Sequence, residues 1–159
     1  MIYFEANDFP KDGLEATGED VTVHVPAGTP FRIYKLTGAK DGSIMVYGEG
    51  DGDAKRDGCG FGGALRKGSG FGDARRDGEG AAWRTGRGNG SALRSGSGDG
   101  HAVRSGDGDG DAVCSGSGNG AAWRAGSGNG HAFRSGSGYG HALRDGDGRG
   151  SAYINGEKQ

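Results

Sequence analysis

From Gly48 onward the chain repeats one pattern of small, apolar and charged positions every ten residues, G-x-G-x-A-φ-R-s-G-s, where φ is mostly apolar or aromatic. Eleven such units follow one another, and one of them, residues 70–77, is short by two. Fidelity at a fixed period is the signature of a solenoid, in which one unit buries nothing alone and stacked neighbours build a continuous core. Ten residues are too few for a helix-turn-helix unit, and three glycines per unit would each cost a helix roughly 1 kcal/mol. Collagen packing needs a period of three, and proline is absent after Pro30. The pattern therefore predicts an all-β chain built as a short β-solenoid. With one decapeptide per coil and coils about 4.8 Å apart, about eleven ten-residue coils would make a rod roughly 50 Å long.

The first 47 residues follow a different pattern. Val21 to Val25 and Phe31 to Leu36 alternate apolar and polar, Ile44 to Tyr47 is a short apolar run, and Pro26, Gly28 and Pro30 stand between them. Five glycines fall in residues 1–47 against 34 in residues 48–159, so a boundary is expected there. Residues 1–47 read as a small N-terminal β capping domain and 48–159 as the glycine-rich decapeptide-repeat solenoid, since a solenoid end needs cover against end-to-end pairing. At the far end the arginine column gives way to Ile154 beside Tyr153. An apolar last coil either caps itself or meets another copy, which leaves room for a homo-oligomer.

Column chemistry assigns a side to each position. The sixth position runs Lys55, Leu65, Arg75, Trp83, Leu93, Val103, Val113, Trp123, Phe133, Leu143 and Tyr153. Apolar from Trp83 onward, it is expected to be the inward core ladder, because like side chains on neighbouring strands pack well and aromatics bury large areas. The alanine before it is the same in all eleven units, as though only a methyl group fits. Glycines at the first, third and ninth positions suit turns with positive φ and close backbone approach, and they imply a thin cross-section.

Composition narrows the function classes. Leu, Ile, Val and Phe make up 21 of 159 residues, too few for the packed core of a conventional enzyme. A net charge of −2 gives no overall pull toward nucleic acid or anionic membrane. No stretch approaches a membrane span and the first residues lack the features of a secretory signal, so a soluble, cytoplasmic protein is expected. Cys59 and Cys114 occupy different places in the repeat and read as free thiols.

The strongest chemical feature is the seventh-position column of Arg56, Arg66, Arg76, Arg84, Arg94, Arg104, Arg124, Arg134 and Arg144, with Cys114 in its midst. Like charges stacked about 5 Å apart repel unless something compensates them. Two readings compete. Internal compensation would come from nearby aspartates, stacked guanidinium planes and bonds to loop carbonyls. Alternatively the column is an exposed anion-binding stripe for phosphate, nucleic acid or an acidic protein surface.

Other candidates are thinner. His131 and His141 share the fourth position with His101 in neighbouring repeats, but no third ligand stands in register, so no metal centre and no cofactor is expected. The GDGDGDA run at residues 106–112 has carboxylates at turn positions suited to a hard cation, though serine or asparagine often replaces aspartate in other repeats. No nucleophile–base motif occurs, and the G-x-G strings are products of the repeat, so the chain is not expected to be an enzyme. Ice binding would want a regular threonine-rich face, and the repeats hold threonine only at Thr85.

The GDGDGDAVCSGS and GSGNGHAFRSGS units resemble glycine-rich decapeptide repeats of bacteriophage and prophage proteins, over residues 48–157. That resemblance implies a phage-associated setting without carrying over any site residue. In it the expected function is a non-enzymatic rod that engages a macromolecular partner, such as an inhibitor of a host or defence factor. The alternatives are a virion accessory protein, an ice-binding solenoid, or an anion- or nucleic-acid-binding rod. A host or phage protein is the expected partner, with the arginine ladder as its contact surface.

Overall fold

The computed structural model describes all residues from Met1 to Gln159. Seventeen short strands follow in order: β1 (Ile2–Glu5), β2 (Leu14–Glu15), β3 (Val21–His24), β4 (Ile33–Thr37), β5 (Ile44–Tyr47), β6 (Asp53–Asp57), β7 (Ala64–Lys67), β8 (Ala74–Asp77), β9 (Ala82–Thr85), β10 (Ala92–Ser95), β11 (Ala102–Arg104), β12 (Ala112–Cys114), β13 (Ala122–Arg124), β14 (Ala132–Arg134), β15 (Ala142–Arg144), β16 (Ala152–Ile154) and β17 (Glu157–Lys158). The single helical element is a 3₁₀ turn at Ala6–Asp8. Odd strands β1 to β15 form one eight-stranded parallel sheet, here sheet 1. Even strands β2 to β16, extended by β17, form the nine-stranded sheet 2.

The chain is thus the β-solenoid its repeat predicts, with one difference in how the coils are counted. A strand pairs with the strand two units on, as Ala102 with Ala122 and Ala112 with Ala132. One coil is therefore two decapeptides, one strand on each sheet, and the rod has about eight coils rather than eleven. At about 4.8 Å per coil it is roughly 40 Å long. Two short strands facing each other explain how a ten-residue unit closes: a single decapeptide has only one strand and one turn, which is half a circuit.

Both sheets run through residue 47 without interruption, because Ile44 pairs with Ala64 and Ile33 with Asp53. The N-terminal segment supplies the first coils of the rod itself instead of a separate layer laid across its end. Its interior is apolar, with Val21, Val23, Tyr34, Leu36, Ile44 and Val46 fully or almost fully buried. Phe9 packs edge-on against Tyr34 at 5.5 Å, and Arg32 lies over the Tyr34 ring at 4.9 Å while donating to the carbonyls of Ala6, Phe9 and Pro10.

Beyond β5 the interior changes to alanine and arginine. Tyr34 and Leu36 stand in register with Ala54 and Arg56, and Val46 with Arg66. The fifth-position alanines from Ala54 to Ala132 show no exposed surface, and the seventh-position arginines from Arg56 to Arg134 are at most 2% exposed. The expected core ladder lies on the opposite face. Trp83, Trp123 and Leu143 are 44%, 47% and 51% exposed, and Leu93, Val103, Val113, Phe133 and Tyr153 are only half-buried. Strand geometry forces this pairing of faces, since positions five and seven share one side of a strand and position six takes the other.

Glycine makes the thin cross-section possible. Turns of successive coils stack backbone on backbone, so a Cβ at Gly120 would sit 1.8 Å from the carbonyl oxygen of Gly100. Ninth-position glycines such as Gly96 and Gly106 also hold φ near +100°, a region that side-chain-bearing residues rarely adopt. At the C-terminal end Asn155 and Gly156, both at positive φ, turn the chain back so that β17 pairs antiparallel with β16. The last coil therefore covers its own sheet 2 edge, whereas β15 remains the outermost strand of sheet 1.

Candidate functional site

The arginine column divides into two files, one beside each sheet. Arg66, Arg84, Arg104, Arg124 and Arg144 stand on sheet 1; Arg56, Arg76, Arg94, Cys114 and Arg134 stand on sheet 2. Each guanidinium points into the rod, and all but that of Arg94 donate to carbonyl oxygens of the glycine turn one coil back; Arg94 donates to the carbonyls of Ser95 and Gly98 that follow it. Arg66 is representative: Nε to Gly52 at 2.7 Å, Nη2 to Gly50 at 2.6 Å and Nη1 to Lys67 at 2.6 Å. Arg134 repeats the arrangement, with Nε to Gly120 and Nη2 to Gly118, both at 2.8 Å. At the shortened unit Arg84 reaches the corresponding carbonyls of Gly72, Gly70 and Gly68, so the same contacts survive a two-residue deletion.

This arrangement explains why arginine lies inside. Stacked glycine turns aim carbonyls inward with no side chain nearby to donate to them, and an unpaired buried carbonyl costs about 1–3 kcal/mol. Arginine brings five N–H donors in a rigid fork, which lets one side chain serve several carbonyls. Leucine or valine suffices in the first coils, where the turns are not glycine stacks.

Confinement strains the charge. Burial, and behind it the neighbouring guanidiniums of Arg104 and Arg66, push Arg84 down to about 9. Arg104 is pushed down to about 10 by burial and then by Arg124, and Arg76 likewise by burial, Arg56 and Arg94. The carbonyls that accept from them favour the charged form. The Nε atoms of Arg94, Arg104 and Arg124 have no partner, which marks where the fit is loosest. The reading of the column as an exposed anion stripe is corrected accordingly: among the nine arginines only Arg144, in the last sheet 1 strand, is even partly open to solvent. Internal compensation holds: the direct bonds go to turn carbonyls, and aspartates such as Asp107 and Asp109 support Arg104 and Arg124 only from beyond ion-pair distance.

The aspartates have a different task. Asp109 Oδ1 accepts from the backbone N–H of Asn129 at 2.8 Å, Asp111 Oδ1 from that of His131 at 2.8 Å, and Asp107 Oδ1 from the Ser127 hydroxyl at 2.8 Å. Carboxylates of the GDGDGDA run thus tie each coil to the next. His101 and His131 do the same through Nδ1, accepting from Ala121 and Ser151 at 3.0 Å. His131 lies on sheet 2 and His141 on sheet 1, so the two do not meet, and no group of three His, Cys, Asp or Glu side chains is placed to hold a metal ion.

What remains at the surface is the sixth-position column. On sheet 1 it presents Met45, Leu65, Trp83, Val103, Trp123 and Leu143 in register, one per coil. Between Trp83 and Trp123, over Val103 and Ala121 and beside His101 and His141, lies a cleft of about 420 Å³. Only Lys67 and Asp145 carry charge among the outward positions of β7 to β15 on this sheet. Sheet 2 differs: its first half is charged, with Lys35, Lys55 and Arg75 paired to Asp53, Asp57 and Asp73, and its second half stacks Phe133 on Tyr153 at 5.1 Å. A separate polar cluster stands at the N-terminal end of sheet 1. There Tyr3 donates to Glu5 at 2.6 Å, His24 Nδ1 lies 3.0 Å from the other Glu5 oxygen, and Tyr47 donates to Tyr3 at 3.4 Å. The Tyr3 hydroxyl first and His24 second hold the Glu5 carboxyl below the usual carboxylate range.

The exposed ladder was missed as a site because hydropathy alone assigned it to the core. The sequence did carry a signal: column six tolerates Lys, Arg, Leu, Trp, Val, Phe and Tyr, whereas column five is always alanine and column seven almost always arginine. Tolerance of size belongs to a face with nothing packed upon it. No helix in the chain is long and apolar enough to cross a membrane. No protein-family model, curated protein or solved structure matches this chain.

Proposed function

We propose that the chain is a non-enzymatic binding rod that engages a macromolecular partner through the outer face of sheet 1. The observation that carries this reading is the line of exposed apolar side chains centred on Trp83, Val103 and Trp123. Contiguous exposed apolar surface on a soluble chain marks an interaction site, and tryptophan is the residue most enriched at the centres of interfaces. The arginine ladder is the scaffold that holds this face in register. A host or phage protein is the partner class, and a phage-encoded inhibitor of a host factor is the setting the repeat resemblance suggests.

The test is affinity capture from bacterial lysate, with and without nuclease, by the wild-type chain and by Trp83→Ser/Trp123→Ser. A specific protein held by the wild type regardless of nuclease, and recovered at least tenfold less by the variant with unchanged circular dichroism, is the expected result. Equal recovery by both chains would remove sheet 1 as the binding face, and recovery of nuclease-sensitive material alone would favour a nucleic-acid ligand.

A further inference from the structure

The outward side chains of sheet 1 alternate in size along the rod, and the alternation is complementary to itself. From β9 to β15 the sixth position reads Trp83, Val103, Trp123, Leu143, and the fourth reads Ala81, His101, Ala121, His141. Consider two copies face to face, rods antiparallel, related by a two-fold axis running along the strand direction. Each column then lies over the same column of the other copy in reversed order. Place Trp123 of one copy over Val103 of the other, and symmetry returns the same contact. In that one register Trp83 meets Leu143, His101 meets Ala121, and His141 meets Ala81, so large groups face small ones except where Trp83 meets Leu143 at the margin. The other two-fold, along the rod axis, would set tryptophan directly on tryptophan.

From this geometry we infer that the partner of the sheet 1 face is a second copy of the chain, with Trp123 of each copy seated in the Trp83–Trp123 cleft of the other. The inference rests on the reading of this face as an interface and puts a second copy of the chain there in place of a host or other phage protein. The cleft of about 420 Å³ has room for an indole, and its floor and walls are apolar apart from the two histidines. No like charges are brought together, because Asp145 comes to lie over Thr85 and the rest of the matched surface is neutral. Four coils, β9 to β15, by about five residues of strand give roughly 300 Å² of projected face per copy. Such an area is that of a weak, transient contact and not of a standard interface, so the dimer is a reversible one.

Sedimentation equilibrium of the full chain from about 1 µM to several hundred µM tests this, with emission from Trp83 and Trp123, the only two tryptophans, as a second readout. Mass is expected to rise from 16.1 kDa toward twice that value, with a blue shift in emission. Val103→Trp fills the cleft and is expected to weaken self-association about 30-fold, the size of effect of a central contact residue, although it makes the face more apolar. Trp123→Val empties the partner position and is expected to do the same. The double variant Val103→Trp/Trp123→Val exchanges the two halves of the contact and is expected to restore the dimer. All these positions face outward, and circular dichroism reports retention of the fold. A Val103→Trp chain that associates as tightly as wild type, or a double variant that stays monomeric, overturns the arrangement. A wild-type chain that is monomeric throughout while Trp83→Ser/Trp123→Ser still loses a captured protein overturns the dimer and leaves the binding face standing.

Discussion

Replacing Arg104 by methionine separates the two assignments of inside and outside. Methionine keeps an unbranched apolar stem of similar reach but supplies no donor. Arg104 is fully buried and donates to Gly88 at 2.9 Å, Gly108 at 2.6 Å, Gly86 at 3.4 Å and the Ser105 carbonyl. Gly108 retains the bond from Arg124 at 2.9 Å, so the substitution chiefly orphans Gly88 and the weaker acceptor Gly86. At about 1–3 kcal/mol per buried unpaired carbonyl, the loss is roughly 2–5 kcal/mol. Against this stands relief: one charge fewer to bury, and less repulsion on Arg84 and Arg124. Removing one member of a buried polar arrangement while its partners stay behind is the unfavourable case, and the turn carbonyls do stay behind. The expected net effect is a destabilisation of about 2–4 kcal/mol. At about 2–4 °C per kcal/mol for a chain of this size, the thermal midpoint falls by roughly 5–15 °C. Leu93→Ser, on the half-buried outer face of sheet 2, is the control and is expected to change stability by no more than about 1 kcal/mol. Thermal melts followed by circular dichroism measure both. An Arg104→Met midpoint at or above wild type, or a Leu93→Ser loss as large as that of Arg104→Met, refutes the reasoning.

Other consequences are open to direct measurement. Gly120→Ala places a Cβ 1.8 Å from the Gly100 carbonyl and is expected to cost about 3 kcal/mol or more in a denaturant titration, whereas Gly18→Ala, with nothing within 4 Å of its Cβ, meets only the strain of a positive φ and should cost clearly less. Thiol labelling of the native chain should proceed quickly at exposed Cys59 and stop there, because burial raises the pKa of the Cys114 thiol and shields it; a second rapid equivalent would contradict the buried placement. Glu5 has a depressed folded-state pKa, so its contribution is complete above the ordinary carboxylate range and is lost as pH falls through the depressed value; Tyr3→Phe should move the Glu5 titration upward in carbon-13 NMR, and an unchanged titration would exclude the hydroxyl as the main cause.

The period, the β class and the role of the glycines were legible because each follows from backbone constraints that only glycine meets at those spacings. Facing was harder to read. Hydropathy puts Trp123 inside and Arg124 outside, and for most strands that is right. Here the interior beyond β5 is lined by turn carbonyls beside small alanine methyls, so the demand is for hydrogen-bond donors, and arginine outcompetes tryptophan for the space. Alternation along the strand could have decided the matter, since Ala122 and Arg124 must share a face and an invariant methyl has no reason to be invariant in open water. The two-unit coil was legible only from pairing: nothing in the repeat distinguishes a strand of sheet 1 from one of sheet 2, because both are built from the same ten letters. At Cys114 the pattern breaks, with Sγ 3.5 Å from the Gly100 carbonyl in place of a guanidinium, and nothing in the structure explains why this one rung differs.

The bonds of the arginine files also have a direction. Arg56, Arg66, Arg76, Arg134 and Arg144 each take their Nε and Nη2 acceptors from residues 14 and 16 positions earlier in the chain. A nascent chain leaving the ribosome therefore presents the Nε and Nη2 acceptors of these five arginines before the arginines themselves are made. The apolar coils of residues 1–47, which need no such clamp, are synthesised before the glycine-rich ones and offer them an edge. Growth from these coils, each new one clamped onto a coil already complete, is the order of assembly that the direction of the bonds favours.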